Sequence, residues 1–152
     1  MNKESKFEDI EIKTLGFYLN RALWTMVKKQ HNLLQESVLE DITHVEFITL
    51  KVLNDMGGAS QSTLSKVMCI DKAAISRTIK SLESKGYIKK EALNGSTNYI
   101  TPTEKSKKIA KEINKITDKV TDISFKGFSK RSQVSLINNL TKIYHNVLGD
   151  LE

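Results

Sequence analysis

The chain has 152 residues, enough for one domain with a hydrophobic core. Hydrophobic residues make up 39% and charged residues 28%, which excludes a disordered chain, and no apolar run approaches the roughly 20 residues that a membrane-spanning helix needs. Cys69 is the only cysteine, so no internal disulfide can form, and the charged segment Met1–Lys6 leads into no apolar signal core. We therefore expect a cytoplasmic protein without a membrane partner.

The net charge of +6 is concentrated in the middle of the chain. Between Ser60 and Lys108 ten basic residues accompany four acidic ones, and the rest of the sequence is electrically balanced. A localised basic segment is typical of a surface that docks a polyanion. A solvated lysine-rich surface explains the charge alone equally well.

The first half of the sequence predicts four helices. The first spans residues 8–30, because apolar residues recur there with helical spacing: Ile12, Leu15, Leu19, Ala22 and Met26, with Phe17 and Trp24 on a second line. Thr43 and Glu46 form a capping-box pattern for a second helix, which Gly57 ends. A short helix over Ser62–Val67, a tight turn and a helix from the N-cap Asp71 to about Lys85 follow.

The second half predicts a β-hairpin and two long helices. Tyr87–Glu91 and Thr97–Ile100 flank Asn94-Gly95, a strong hairpin signal. Thr101–Glu104 combines a second capping-box pattern with Pro102 at the first helical position, and an isoleucine stripe follows from Ile109 to Ile123. The last helix is predicted from about Ser129 to Leu148.

Two short helices joined by a tight turn and followed by a basic hairpin are typical of a winged helix-turn-helix. The predicted fold is mainly α with a small β-hairpin wing. It forms one domain over 1–152, in which a winged helix-turn-helix lobe over 40–101 lies between flanking helices over 8–35 and 102–148. These helices have more apolar surface than one small lobe can cover, so we expect them to form a homodimer.

The helix from Asp71 to Lys85 has two unlike faces. Ile75, Ile79 and Leu82 form a compact apolar face at roughly 100° per residue. The opposite face is small, polar and basic, and comprises Ala73, Ser76, Arg77, Lys80 and Ser84. Lys72 and Ala74 in the first turn are also predicted to bind DNA. Small residues in the first turn allow a close approach to base edges, Arg77 can pair with guanine, and Lys80 can reach a phosphate. An ordinary amphipathic surface helix is the alternative, but the preceding helix and turn favour DNA recognition.

The motifs of this region resemble those of the MarR (multiple antibiotic resistance) family of regulators. Four segments carry the resemblance in a fixed order: Ser60–Ser65, Asp71–Ile79, Leu82–Ile88 and Thr101–Lys105. The resemblance extends to the long flanking helices, and it implies a homodimer with intertwined terminal helices that represses genes until a small ligand or oxidation releases it. A two-fold dimer would bind a palindromic operator in double-stranded DNA. Ser60 and Ser62 join the predicted DNA-binding residues.

The predicted wing departs from the family pattern. An Asp-x-Arg motif usually lies at the wing tip, whereas the corresponding stretch here, Ala92–Asn98, contains no arginine. Lys89 and Lys90 on the first strand are therefore predicted to contact phosphates. Asn94 and Asn98 are candidates for weaker groove contacts.

The cysteine, the histidines and the aromatic residues give weaker indications of function. Cys69 lies in the helix-turn-helix turn and is predicted to be a buried structural cysteine, with an oxidant sensor as the alternative. The three histidines fit no metal-ligand spacing, and no phosphate loop, nucleophile elbow or paired-carboxylate cluster is present, so we expect no metal, no cofactor and no catalysis. A small effector could bind in a pocket lined by Phe17, Trp24, Met26 and Phe47, although aromatic residues at helical spacing are more often core.

Three functions remain in competition. The first is a sequence-specific DNA-binding transcription regulator, the second a winged-helix module that binds a protein partner, and the third a redox or ligand sensor with secondary DNA binding. Arg77 and Lys80 on a face of small residues favour DNA, because a protein-binding face would present aromatic anchors.

Overall fold

The computed structural model describes residues 14–93 and 96–150, and this part of the chain contains six helices and three strands. The helices are α1 (Leu15–Gln35), α2 (His44–Met56), α3 (Gln61–Met68), α4 (Lys72–Ser84), α5 (Glu104–Ser124) and α6 (Lys130–Gly149). The strands are β1 (Ala59–Ser60), β2 (Ile88–Leu93) and β3 (Ser96–Pro102). The predicted mainly helical fold with a hairpin wing is confirmed. Residues 8–13 of the first predicted helix lie outside the described residues.

The capping signals of the sequence are present where they were expected. Glu46 accepts a hydrogen bond from the Thr43 backbone N–H at 2.8 Å, and the Thr43 hydroxyl accepts one from the Glu46 N–H, which completes a capping box. Asp71 accepts a hydrogen bond from the Ala74 N–H at 2.8 Å and so caps α4. Gly57, with φ +74°, ends α2 in the left-handed conformation.

The predicted start of α5 is wrong by about two residues. Pro102 is the last residue of β3, paired with Ile88, and is not the first residue of the helix. Thr103 is the capping residue, since its hydroxyl accepts a hydrogen bond from the Ser106 N–H at 3.3 Å. The same hydroxyl lies 2.7 Å from the Gly86 carbonyl oxygen. This tertiary contact favours Thr103, and not Thr101, as the N-cap of α5, and sequence spacing does not reveal it.

The three strands form one antiparallel sheet in the order β1-β3-β2. β1, which the sequence did not predict, pairs Ala59 with Ile100 and Ser60 with Tyr99. The ladder between β2 and β3 is irregular between Glu91 and Ala92. β3 is thus the central strand, and it joins the hairpin to the segment that enters α3.

The residues up to Thr117 form one compact unit, and those from Asp118 form a second. The core of the first unit consists of apolar side chains that are almost fully buried; it includes Leu34, Leu39, Leu50, Leu53, Leu64, Ile75, Ile79, Leu82, Ile88, Ile100, Ile113 and Ile116. Because Ile113 and Ile116 belong to this core, the first half of α5 is part of the winged lobe. The sequence had assigned all of 102–148 to the flanking helices.

The second unit contains the end of α5 and α6. Gly127, with φ +86°, lies in the connection, where the rings of Phe125 and Phe128 meet edge to face at 5.7 Å. None of the residues of α6 is buried, and Val134, Ile137 and Val147 are more than half exposed. Within residues 14–93 and 96–150 no helix combines the length and apolar character needed to cross a membrane.

Candidate nucleic-acid interface

The two predicted faces of α4 are present in the structure. Ile75, Ile79 and Leu82 are at most 1% exposed and anchor the helix in the core. The other side, called the recognition face below, carries exposed Lys72, Ala73, Arg77 and Lys80 with partly buried Ala74 and Ser76. Within the described part of the chain, none of its three cationic side chains takes part in an ion pair, so their charges are available to a polyanion.

Side-chain hydrogen bonds fix the helix that precedes α4. Ser60 accepts a hydrogen bond from the Thr63 N–H at 3.1 Å and thereby caps α3, while Ser62 is exposed in its first turn. Ser65 donates to the Ile70 carbonyl oxygen at 2.6 Å across the turn. Gln61 donates to the Lys72 carbonyl oxygen at 3.3 Å, which links the starts of the two helices. Of the two predicted DNA-binding serines, Ser60 is engaged in the cap and Ser62 is accessible.

The prediction that Cys69 is buried is wrong. The residue is exposed, and it terminates α3 in the left-handed conformation with φ +51°. Its backbone N–H bonds to the Lys66 carbonyl oxygen at 3.3 Å. The left-handed conformation of Cys69 ends α3 at the turn, and its thiol donates a hydrogen bond to the Lys66 carbonyl oxygen of the same helix at 3.7 Å.

A buried carboxylate ties the C-terminal end of α4 to α2. Glu46, 3% exposed, accepts hydrogen bonds from the Ser81 hydroxyl at 2.6 Å and from the Lys85 ammonium at 2.9 and 3.0 Å. Burial raises the pKa of the Glu46 carboxyl, but the hydrogen bonds from Ser81, Thr43 and Lys85 together bring it below its ordinary value. Lys85 also reaches the Asp41 carbonyl oxygen at 2.5 Å. Sequence patterns had identified Glu46 only as a capping residue.

The two wing lysines lie on opposite faces of β2, because successive residues of a strand alternate. Lys90 forms an ion pair with Glu83 of α4 at 2.8 Å, and Lys89 forms one with Glu91 of its own strand. Both pairs are substantially exposed. Lys90 therefore lies on the α4 side of the wing, and Lys89 on the other side.

Two of the predicted DNA-binding residues, Asn94 and Asn98, belong to the tip of the wing. Asn94 lies outside the described residues, and so does the side chain of Asn98. The register of the two strands brings Leu93 opposite Ser96.

The four residues of the predicted effector pocket do not share one environment. Phe47 is 3% exposed and belongs to the core of the winged lobe, so its assignment to a pocket is corrected. Phe17, Trp24 and Met26 are exposed on α1, at 36%, 64% and 40%. The buried residues of α1 lie nearer its C-terminal end and are Gln30, Leu33 and Leu34.

Comparison with known proteins identifies the type of lobe. The sequence model of the MarR family matches residues 42–96, from the start of α2 into the wing. The HTH-type transcriptional regulator YybA of Bacillus subtilis (strain 168) is 25% identical over 114 residues, which cover 74% of this chain and 76% of YybA.

Solved structures share the architecture. A MarR family transcriptional regulator from Listeria monocytogenes, solved in complex with a 26mer DNA, has a TM-score of 0.83 and 23% identity, with 91% of this chain and 92% of that chain covered. BpsR of Bordetella bronchiseptica, whose DNA binding is regulated by 6-hydroxynicotinic acid, has a TM-score of 0.74 and 21% identity, with 86% and 94% covered. The winged lobe of the chain thus matches the sequence model of the MarR family, and the chain shares its fold along most of its length with a solved MarR family regulator.

Proposed function

We propose that the protein is a homodimeric regulator of transcription that binds a palindromic operator in double-stranded DNA and is released by a small effector. The recognition face of α4 carries this proposal. Its apolar side is fixed in the core, and its exposed side combines small residues with Arg77, Lys72 and Lys80, which form no ion pair with any residue that the structure describes. No aromatic residue lies on that face, so a protein-binding role has no comparable support. We assign the protein no catalytic activity.

The contacts divide into those that read bases and those that hold the backbone. Arg77 lies in the second turn of α4, where a guanidinium can donate two hydrogen bonds to guanine in the major groove. Lys72 and Lys80 are suited to flanking phosphates, together with Ser62 of α3. Ala73 and Ala74 keep the first turn narrow, so the helix backbone can approach the groove floor.

The dimer is proposed from apolar side chains that a single chain leaves in solvent. In α1, Leu15, Tyr18, Leu23 and Trp24 are each more than half exposed. In the second unit, none of the residues of α6 is buried. A two-fold dimer would present two copies of α4 to half-sites whose centres are about 10 bp apart, or a multiple of that spacing.

Arg77→Ala tests the recognition face directly. The binding of labelled duplexes from the protein's own upstream region is measured by fluorescence anisotropy, with scrambled duplexes as competitors. We expect operator affinity to fall by about 1–3 kcal/mol and base preference to relax at one position, because one bidentate contact is lost. Arg131→Ala removes the same charge from an exposed position on α6 and should leave the preference unchanged. Wild-type binding by Arg77→Ala would refute the assignment of this face.

A further inference from the structure

Three consecutive carbonyl groups at the end of α4 accept hydrogen bonds from the start of α5. The Lys85 carbonyl oxygen accepts one from Lys105 Nζ at 2.7 Å. The carbonyl oxygen of Gly86, which has φ +76°, accepts one from Thr103 Oγ1 at 2.7 Å, and that of Tyr87 accepts one from the Thr103 N–H at 3.0 Å. We call these three hydrogen bonds the α4–α5 junction. All of its residues belong to the first compact unit.

Lys105 is the residue of the α4–α5 junction that contacts the C-cap of α4. Lys85 is that C-cap, and a carbonyl group in this position has no partner within its own helix. The partial negative charge at the C-terminal end of a helix favours a cation there. The Lys105 ammonium also lies 4.1 Å from the centroid of the ring of Tyr87, a residue that is 4% exposed. One cation of α5 thus contacts two groups at the end of α4.

The orientation of α4 matters more for reading bases than for holding phosphates. Apolar burial fixes the helix in the core but is not directional, whereas hydrogen bonds at one end constrain its tilt. Arg77 must bring its guanidinium to two base atoms at once, so a small tilt breaks the contact. Lys72 and Lys80 have flexible side chains that can follow a phosphate. A contact that constrains the tilt of α4 should therefore affect operator binding and spare non-specific binding.

We infer that Lys105 is a positioning residue for the recognition face of α4. It holds the C-terminal end of the helix in the orientation in which Arg77 can read a base. Its ammonium is already engaged by a carbonyl oxygen and an aromatic ring, so a phosphate contact would release that end. Glu46 holds the same end from α2, so the loss of Lys105 should loosen it without unfolding the lobe. The effect on DNA binding rests on the proposed function, whereas the contact with α4 does not.

The DNA-binding test compares Lys105→Met with Lys105→Arg. Methionine keeps an unbranched side chain without the charge, and arginine keeps a cation that can reach the same carbonyl oxygen. Fluorescence anisotropy with operator and scrambled duplexes over a range of salt concentrations measures affinity and its salt slope. We expect Lys105→Met to bind the operator about three- to tenfold more weakly, and to bind scrambled DNA within about twofold of wild type with the same salt slope. Lys105→Arg should recover most of the loss.

Lys111→Met is the matched control for charge. It removes one lysine from an exposed position on α5, where Lys111 forms no ion pair with any described residue, and it should bind both duplexes as the wild type does. Hydrogen exchange then tests the contact with α4 in the absence of DNA. Backbone amides in the last turn of α4 should exchange about three- to tenfold faster in Lys105→Met than in Lys111→Met. Because Lys105 is exposed, Lys105→Met should fold, which circular dichroism can verify.

A selective loss on the operator together with faster exchange at the end of α4 supports the inference. An equal loss on both duplexes, with a salt slope flatter by about 0.9 per lobe, would identify Lys105 as a phosphate contact and overturn it. Exchange at the wild-type rate, or wild-type operator binding, in Lys105→Met would overturn it too. A wild-type protein that binds no duplex, with faster exchange in Lys105→Met, would refute the proposed function and leave the hold of Lys105 on α4 standing.

Discussion

The Glu46 carboxylate contacts both α2 and the C-terminal end of α4. Its carboxylate completes the capping box at the start of α2 and accepts hydrogen bonds from Ser81 and Lys85 near the end of α4. A buried carboxylate with all its partners in place is stable, but the loss of its charge leaves the Lys85 ammonium, 25% exposed, without a counter-ion. One ionised side chain therefore helps to hold the C-terminal end of α4 against α2.

Acid is predicted to weaken this link. Because the folded state lowers the pKa of Glu46, the unfolded chain binds the proton more tightly. The stabilisation is complete above about pH 6 and is lost as the pH falls below the ordinary carboxyl value of 4.5 and through the folded value. Glu46→Gln should lower the free energy of unfolding at pH 7 by about 1–3 kcal/mol and flatten its decline in acid. Urea denaturation from pH 7 to pH 3 measures both effects, with exposed Glu40→Gln as the control. An equally steep acid dependence in Glu46→Gln would contradict the assignment.

The caps were predictable because they are local. Thr43 with Glu46 and Asp71 with Ala74 join residues three positions apart, so the sequence itself displays the pattern. The ion pair between Lys85 and Glu46 joins residues 39 positions apart, and no spacing rule indicates it. The exposure of Cys69 was missed for a related reason, since a short apolar stretch around a turn does not reveal which residue adopts the left-handed conformation.

At the scale of elements, the two-residue strand β1 fixes the start of α3 against the sheet, because it directly precedes that helix and pairs with β3. Gly58, with φ +141°, precedes β1, and a Cβ atom there would lie 2.8 Å from Tyr99 Cε1 and 3.0 Å from the Ile100 carbonyl oxygen. Gly57 also has positive φ but has no neighbouring atom within 4 Å of such a Cβ. An alanine at Gly57 would strain only the backbone, whereas an alanine at Gly58 would strain the backbone and also collide with β3. This strand escaped prediction because two residues carry no periodicity.

The adjacent glycines therefore make a matched pair. Gly57→Ala should lower the free energy of unfolding by about 1 kcal/mol, the strain of a left-handed alanine. Gly58→Ala should lower it by about 2–4 kcal/mol, because β1 must also move away from β3. Urea denaturation of both variants at neutral pH gives the comparison. Equal losses would show that β1 tolerates displacement from β3.

The ion pair between Glu83 and Lys90 joins α4 to the wing. The pair joins the strand to α4, and it also neutralises a lysine that could contact a phosphate. The sequence predicted Lys90 as a phosphate contact but gave no sign of its partner on α4. An exposed pair of this kind is weak, so DNA phosphates can compete with Glu83 for Lys90.

Glu83→Gln is accordingly predicted to strengthen DNA binding. The freed Lys90 should raise the affinity for operator and scrambled duplexes alike by about three- to tenfold, and should steepen the slope of log affinity against log salt by about 0.9 per lobe. A salt titration by fluorescence anisotropy gives both quantities. Glu112→Gln removes the same charge from a pair with Lys115 on α5 and should change neither. Weaker binding by Glu83→Gln would mean that the pair chiefly positions the wing.

At the scale of the whole molecule, the basic charge and the exposed apolar side chains lie in different elements. The segment from Ser60 to Lys108 carries the entire net charge of +6 and contains the recognition face and the wing. The exposed apolar side chains belong mainly to α1, the end of α5 and α6. Both features could be predicted from the sequence, because residue counts locate the basic charge and helical spacing of apolar residues indicates the apolar faces. Which residues of the flanking helices join the core could not be predicted, since the apolar stripe of α5 continues unbroken from buried Ile116 to Ile123, which is 49% exposed.

The exposed part of α1 provides the test of the dimer. Trp24 is the only tryptophan and is 64% exposed in the single chain, so its emission reports burial by a second copy. Light scattering in line with size exclusion should give about twice 17.2 kDa, and the emission should shift to longer wavelength as the dimer is diluted and dissociates. Leu23→Glu places a charge on the same helix and should yield a folded monomer, because Leu23 lies outside the core of the winged lobe. Val38→Glu makes an equally polar change at a side chain that is 76% exposed and lies outside the flanking helices, and it should remain dimeric. A wild-type protein that is monomeric at micromolar concentration, or a Leu23→Glu variant as dimeric as Val38→Glu, would rule out α1 as the dimer interface.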